Sequence, residues 1–163
     1  MKYSEQIDYL QSSAELLNVF SNPEFFKAKY AATGAHDIQV LESEKSNGHF
    51  RIKVSRKVPT DVPIPSFAKS LVPANITLVQ TDIWDLEKGV GSLDIEFIGI
   101  PVRVRCELVL KDVAGKAVED LQFDIRVNLP LIGGKLEQLL ADDLKVKFAK
   151  DTEVTLDMLP MYL

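Results

Sequence analysis

Few side chains in this 163-residue chain have the type and spacing that chemistry needs. Cys106 is its single cysteine, which excludes an intramolecular disulfide and every multi-cysteine zinc pattern. It shares an apolar phase with Val104 and Leu108, opposite Arg103 and Arg105, and so reads as a small buried hydrophobe rather than an activated nucleophile. The two histidines, His36 and His49, open separate extended segments, and no local pair has the spacing of metal ligands. No serine sits in a nucleophile-elbow pattern. Gly89-Val90-Gly91 lacks the lysine and helix start of a phosphate loop, and Gly133-Gly134 precedes an apolar stripe. No catalytic residue, metal site or cofactor site is therefore assigned. Acid-base work, if the chain does any, falls to Glu5, Gln80, Asp82 or a histidine. Glu5 alternates with Tyr3, Ile7 and Tyr9. Either it turns inward, where it needs a partner, or the strand takes the opposite register and exposes it.

Composition narrows the classes further. An apolar fraction of 46% with 26% charged residues is that of a globular chain, long enough for one domain over residues 1–163 with a real core. A net charge of -5, with basic residues dispersed among acids, argues against nucleic-acid binding. No stretch approaches the roughly 20 apolar residues of a membrane span, and the first residues lack the apolar run of a secretory signal. Cytoplasmic residence is the expectation.

The elements that must position any site follow from periodicity. Alternation over Tyr3–Tyr9 predicts a first strand. Ser12 with Glu15 forms a capping box before one short helix, and Asn22-Pro23 starts another that Gly34 ends. From His36 the period becomes two: Ile38, Val40 and Glu42 share a face, Ser46-Asn47-Gly48 turns the chain, and Phe50, Ile52 and Val54 oppose Arg51, Lys53 and Ser55. Pro59, Pro63, Pro65 and Pro73 make the next stretch a long connection with at most one helical turn. A strand of mixed facing covers Ile76 to Trp84. Leu93, Ile95 and Phe97, then Val102 to Leu110, then Leu121, Phe123, Ile125 and Val127 each alternate with charged or polar residues.

Strands with one oily and one charged face belong to an antiparallel sheet covered on one side. The cover is the C-terminal segment, where Leu136, Leu140, Leu144 and Phe148 recur at helical spacing beside Leu139. If fully buried, those four contribute roughly 6 to 12 kcal/mol before entropy. Gly133 and Gly134 suit close approach of the first helical turn to the sheet. Charges on the other face, including Asp94, Glu96, Arg103, Arg105, Glu107, Asp124 and Arg126, read as cross-strand pairs.

This order of elements resembles the START-like superfamily, whose α+β helix-grip fold includes the birch-pollen allergen type. Ser21-Asn22-Pro23-Glu24-Phe25, Trp84 at a strand end and Leu129-Pro130-Leu131-Ile132-Gly133-Gly134-Lys135-Leu136-Glu137 look like an uncharacterised bacterial branch of it. The resemblance covers essentially the whole chain. It implies a curled antiparallel sheet of about six or seven strands wrapped around the long C-terminal helix, two short helices after the first strand, and a hydrophobic small molecule held in between. On that reading Ile52, Val54, Ile95, Phe97, Val104, Cys106, Phe123 and Ile125 line a cavity with Leu136, Leu140 and Leu144, and Phe67 is a lid. The alternatives are a cyclase or hydrolase that uses the same pocket and a protein-interaction module that uses the charged outer face.

Overall fold

The computed structural model describes residues 1–61 and 66–163, apart from the side chains of Phe67, Ala68 and Leu71. Strand β1 (Lys2–Asp8) leads into α1 (Ser13–Phe20) and α2 (Pro23–Ala32). Strands β2 (His36–Ser46) and β3 (His49–Pro59) follow, then a short 3-10 turn at Ser66–Leu71. β4 (Asn75–Asp85), β5 (Val90–Phe97), β6 (Val102–Val113) and β7 (Lys116–Val127) precede the long helix α3 (Gly133–Tyr162). All seven strands form one antiparallel sheet in the order β1-β7-β6-β5-β4-β3-β2. The sheet curls around α3, so the architecture is the α+β helix-grip arrangement.

Local chemistry explains the boundaries. The Ser12 hydroxyl accepts from the Glu15 amide while the Glu15 carboxylate accepts from Ser12, which completes a capping box on α1. Asn22 caps α2 by accepting from Glu24, with Pro23 in the first turn, where its missing N–H costs nothing. Asn47 and Gly48, at φ 52° and 76°, make the two-residue turn between β2 and β3.

Three elements differ from their sequence-based reading. β7 begins at Lys116, five residues before Leu121, which brings Ala117 and Glu119 onto its inward face. β4 is not mixed in facing: Ile76, Leu78, Gln80, Asp82 and Trp84 are all buried. β2 carries register shifts between His36 and Gln39 and between Val40 and Glu42, so its alternation breaks and Leu41 is left exposed. Glu5 is exposed, although Tyr3 and Ile7 on the same phase are partly buried. β1 is an edge strand paired only with β7.

The helix is held differently from the expectation. Its buried positions are Gly133, Ala141, Thr155, Met158 and Leu159, whereas Leu136, Leu140, Leu144 and Phe148 are only partly buried. Full burial of that stripe is therefore not what docks α3. Its sheet contacts fall on β7 and its other main contacts on α2. At Gly133 a methyl group would come within 2.7 Å of the Val127 carbonyl oxygen, while nothing lies within 4 Å of the same position at Gly134. Gly133 permits the close approach and Gly134 does not take part in it. Gly133→Ala should therefore destabilise by about 1 to 3 kcal/mol, as overpacking does. Gly134→Ala should be neutral or stabilising by up to about 1 kcal/mol, because alanine is the better helix former. Urea denaturation of the two variants distinguishes them, and an equal loss in both would refute the assignment.

Candidate functional site

Between the concave face of the sheet and α3 lies a cavity of about 620 Å³. Ile95 and Phe97 of β5 and Leu136, Leu140 and Leu144 of α3 line it, as the alternation and the helical stripe require. The partial burial of the stripe is thus exposure to an internal space. The other expected wall residues, Ile52, Val54, Val104, Cys106, Phe123 and Ile125, are buried and do not line it. Phe123 shows why, with the Phe148 ring covering it at 4.6 Å and the Tyr3 ring stacked on it at 4.6 Å. The Phe67 side chain, the expected lid, lies outside the described residues.

Polar groups also reach this cavity, in two sets. From β3, β4 and α2 come Arg56, Gln80, Asp82 and Tyr30. Arg56 Nη2 donates to Gln80 Oε1 at 2.9 Å, and Gln80 Nε2 donates to Asp82 Oδ1 at 2.8 Å. The guanidinium carbon stands 4.0 Å over the Tyr30 ring. A second set is Glu119 of β7 and Tyr9, whose hydroxyl donates to Glu119 Oε2 at 2.8 Å. Lys29 lies 5.3 Å from the Tyr30 ring centroid, with Asp151 of α3 at 3.6 Å.

Burial sets the ionisation of these groups. It pushes Glu119 up to about 7, against the Tyr9 hydrogen bond and the Lys29 charge that favour the carboxylate. Asp82 is raised for the same reason, opposed by Lys29, Gln80 and Arg56. Tyr30 is raised by burial and then by the Asp82 charge. Cys106 is pushed up to about 12, by burial first and then by Glu119, so it is a thiol rather than a nucleophilic thiolate.

Gln80 and Asp82 were sequence candidates and stand together here, whereas Glu5 and both histidines are exposed. Arg56, Glu119, Tyr9 and Tyr30 were missed. The signal for two of them was present, since Arg56 continues the phase of Phe50, Ile52 and Val54, and Glu119 precedes Leu121 by two. Among the described residues no group of three or more His, Cys, Asp or Glu side chains is placed to hold a metal ion. On the outer face Arg103 Nη2 and Arg105 Nε pair with Asp94 at 3.0 and 2.9 Å and Lys111 with Asp120 at 2.8 Å, whereas the Glu96 and Glu107 carboxylates make no such pair among the described residues.

The raised Glu119 carboxyl has a testable consequence. At low pH both the folded and the unfolded chain hold this proton. Between about 4.5 and about 7 only the folded chain does, so the Glu119 contribution makes stability fall as pH rises through that window. Glu119→Gln removes this slope and should gain on the order of 3 kcal/mol relative to wild type between pH 4.5 and pH 8. Urea melts of both proteins across that range check it, and parallel profiles would rule it out.

Comparison with known proteins places the chain. Uncharacterized proteins of Mycobacterium bovis and Mycobacterium tuberculosis are each 26% identical over 147 residues, which is 84% of this chain and 84% of theirs. A protein of Thermus thermophilus superposes with a TM-score of 0.67 at 10% identity, covering 99% of this chain and 98% of its own. Ara h 8.0201 superposes at 0.65 with 11% identity and coverage of 99% and 98%. A START superfamily protein from Mycobacterium smegmatis gives 0.58 at 12% identity, with 97% and 98% covered. At such identities the likeness is one of fold, and it is the START-like fold. A family model described as a protein of unknown function, DUF2505, matches residues 4–159, and the chain belongs to that family.

Proposed function

We propose that this chain is a single binding unit that carries or senses an apolar small molecule in the cavity between the sheet and α3. The observation that carries this reading is the helix stripe of Leu136, Leu140 and Leu144, which borders about 620 Å³ of space as well as packed side chains. The space opens to solvent beside Asp61, Lys147 and Lys150, so water against its apolar walls is what an apolar occupant displaces. Polar groups allow water into part of the space, but the leucine and phenylalanine surface gains most from an apolar occupant. The resemblance to START-like proteins supports the same reading at the level of fold.

A second reading, an acid-base enzyme of the cyclase or hydrolase kind, is favoured by one observation. The interior is not wholly apolar, and Glu119 sits near 7, where a general base works best. The interaction-module reading has less support, because the outer-face cations named above already pair with acids beside them.

For binding, fatty acids, sterols and aromatic compounds are screened by thermal melting. A ligand at 100 times its dissociation constant stabilises by about 2.7 kcal/mol, which for a chain of this size raises Tm by roughly 5 to 10 °C. Leu140→Trp, which fills the space from the helix side, should abolish the shift without lowering Tm in the absence of ligand. An unchanged Tm with every class sinks the binding reading.

A further inference from the structure

We infer that the ligand of this cavity bears an oxyanion, a carboxylate in the simplest case, and that this end docks against Arg56 and Tyr30 while its apolar body lies under α3. The inference rests on the binding reading above and deepens it.

Arg56 is in the interior because β3 puts it there: the phase that buries Phe50, Ile52 and Val54 continues to position 56, and the side chain is only 8% exposed. A guanidinium cannot shed its charge, and removing it from water costs several kcal/mol unless it is paired. Its directed contact is with a neutral amide, Gln80 Oε1, and the Asp82 carboxyl is reached only through that amide. The face of the guanidinium lies on the Tyr30 ring, which attracts the charge but takes none of its in-plane hydrogen bonds. Nη1 has no partner among the described residues, and neither does the Tyr30 hydroxyl. Two residues that line the cavity from different elements, β3 and α2, therefore each hold a buried donor with hydrogen-bonding capacity unused.

The neighbouring charges agree in sign. Lys29 adds a second cation beside the Tyr30 ring, countered by Asp151. Burial biases Asp82 towards its neutral acid, which weakens the counter-charge it offers Arg56. An oxyanion placed against Nη1 and the Tyr30 hydroxyl supplies both the missing acceptor and the missing charge. A ligand ammonium would be driven instead towards Asp82 and Glu119, one oxygen of each being held by Gln80 and Tyr9 respectively.

The test uses three amphiphiles with one tail and different ends: dodecanoate, dodecanol and dodecylamine. Each displaces the neutral apolar fluorophore N-phenyl-1-naphthylamine from the full chain at pH 8, below the concentration at which the amphiphiles aggregate. Dodecanoate should displace the probe at about tenfold lower concentration than dodecanol, a charge-assisted hydrogen bond being worth that much, with dodecylamine weakest. Arg56→Met should erase the preference for the acid while the probe still binds. Tyr30→Phe, which deletes one hydroxyl and keeps the ring, should weaken dodecanoate about three- to tenfold and leave dodecanol unchanged, so the assignment can be judged even if Arg56→Met does not fold. Equal displacement by acid and alcohol, or a preference for the amine, overturns the head-group assignment and leaves cavity binding standing. If the wild-type chain takes up no probe and none of the three amphiphiles raises its Tm, the binding reading itself falls, and this inference with it.

Discussion

A curled seven-stranded sheet presents more apolar surface on its inside than a single helix can cover. The rest of this molecule follows from that mismatch. Five consecutive strands, β3 to β7, each turn an oily face to the same side, and α3 is the one long element available to meet them. α1 and α2 help at one end, where Phe20, Phe25, Phe26 and Trp84 pack in a run of aromatic contacts at 6.0 to 6.1 Å. What they and α3 leave uncovered is the cavity.

Apolar walls alone would make that space a hydrophobic void, and the polar side chains change its character. Glu119 with Tyr9, and Arg56 with Gln80 and Asp82, are short chains of hydrogen bonds in a setting where each bond is strong and each omission costly. They come from strands that are not neighbours in the sheet, β3 and β4 on one hand and β7 on the other, so an occupant would meet hydrogen-bonding groups from more than one strand. Such groups fix the orientation of a bound molecule, while the greasy remainder of the wall sets how tightly it is held.

The parts of this architecture legible in the sequence are those dictated by local chemistry. Ser12 and Glu15, Asn22 and Pro23, and the Asn47-Gly48 turn each act through neighbours a few residues away, and the alternation of β5 and β6 needs only its own segment. Arg56 and Glu119 were legible in principle, because a strand phase does not stop at a charged residue. They were missed because an apolar run ends where the charge appears, and a strand was ended with it. The mixed facing read into β4 is the same error, since Gln80 and Asp82 face inward with their neighbours. Which wall residues face open space was not legible. Ile52 and Ile95 share a pattern, and only the path of α3 and the rings beside it decides that one is sealed and the other is not.

α3 is secured near β7, where Gly133 lies against the Val127 carbonyl and the Glu137 carboxylate accepts from the Val127 amide at 3.0 Å. It is secured again at Thr155, Met158 and Leu159, with Tyr162 edge-on to Phe25 at 5.6 Å. Between these supports Ala141 is buried and Phe148 packs on Phe123; Leu140 and Leu144 border the cavity, and Lys147 ties the helix to the rim through exposed or partly exposed Asp61 and Asp143, contacts that water and salt compete for. The helix is a beam resting on two abutments and on Phe148, with a hollow beneath part of its span. Whatever occupies the hollow shares the load of that span, so the rigidity of the middle of the helix and the occupancy of the interior are one thermodynamic variable.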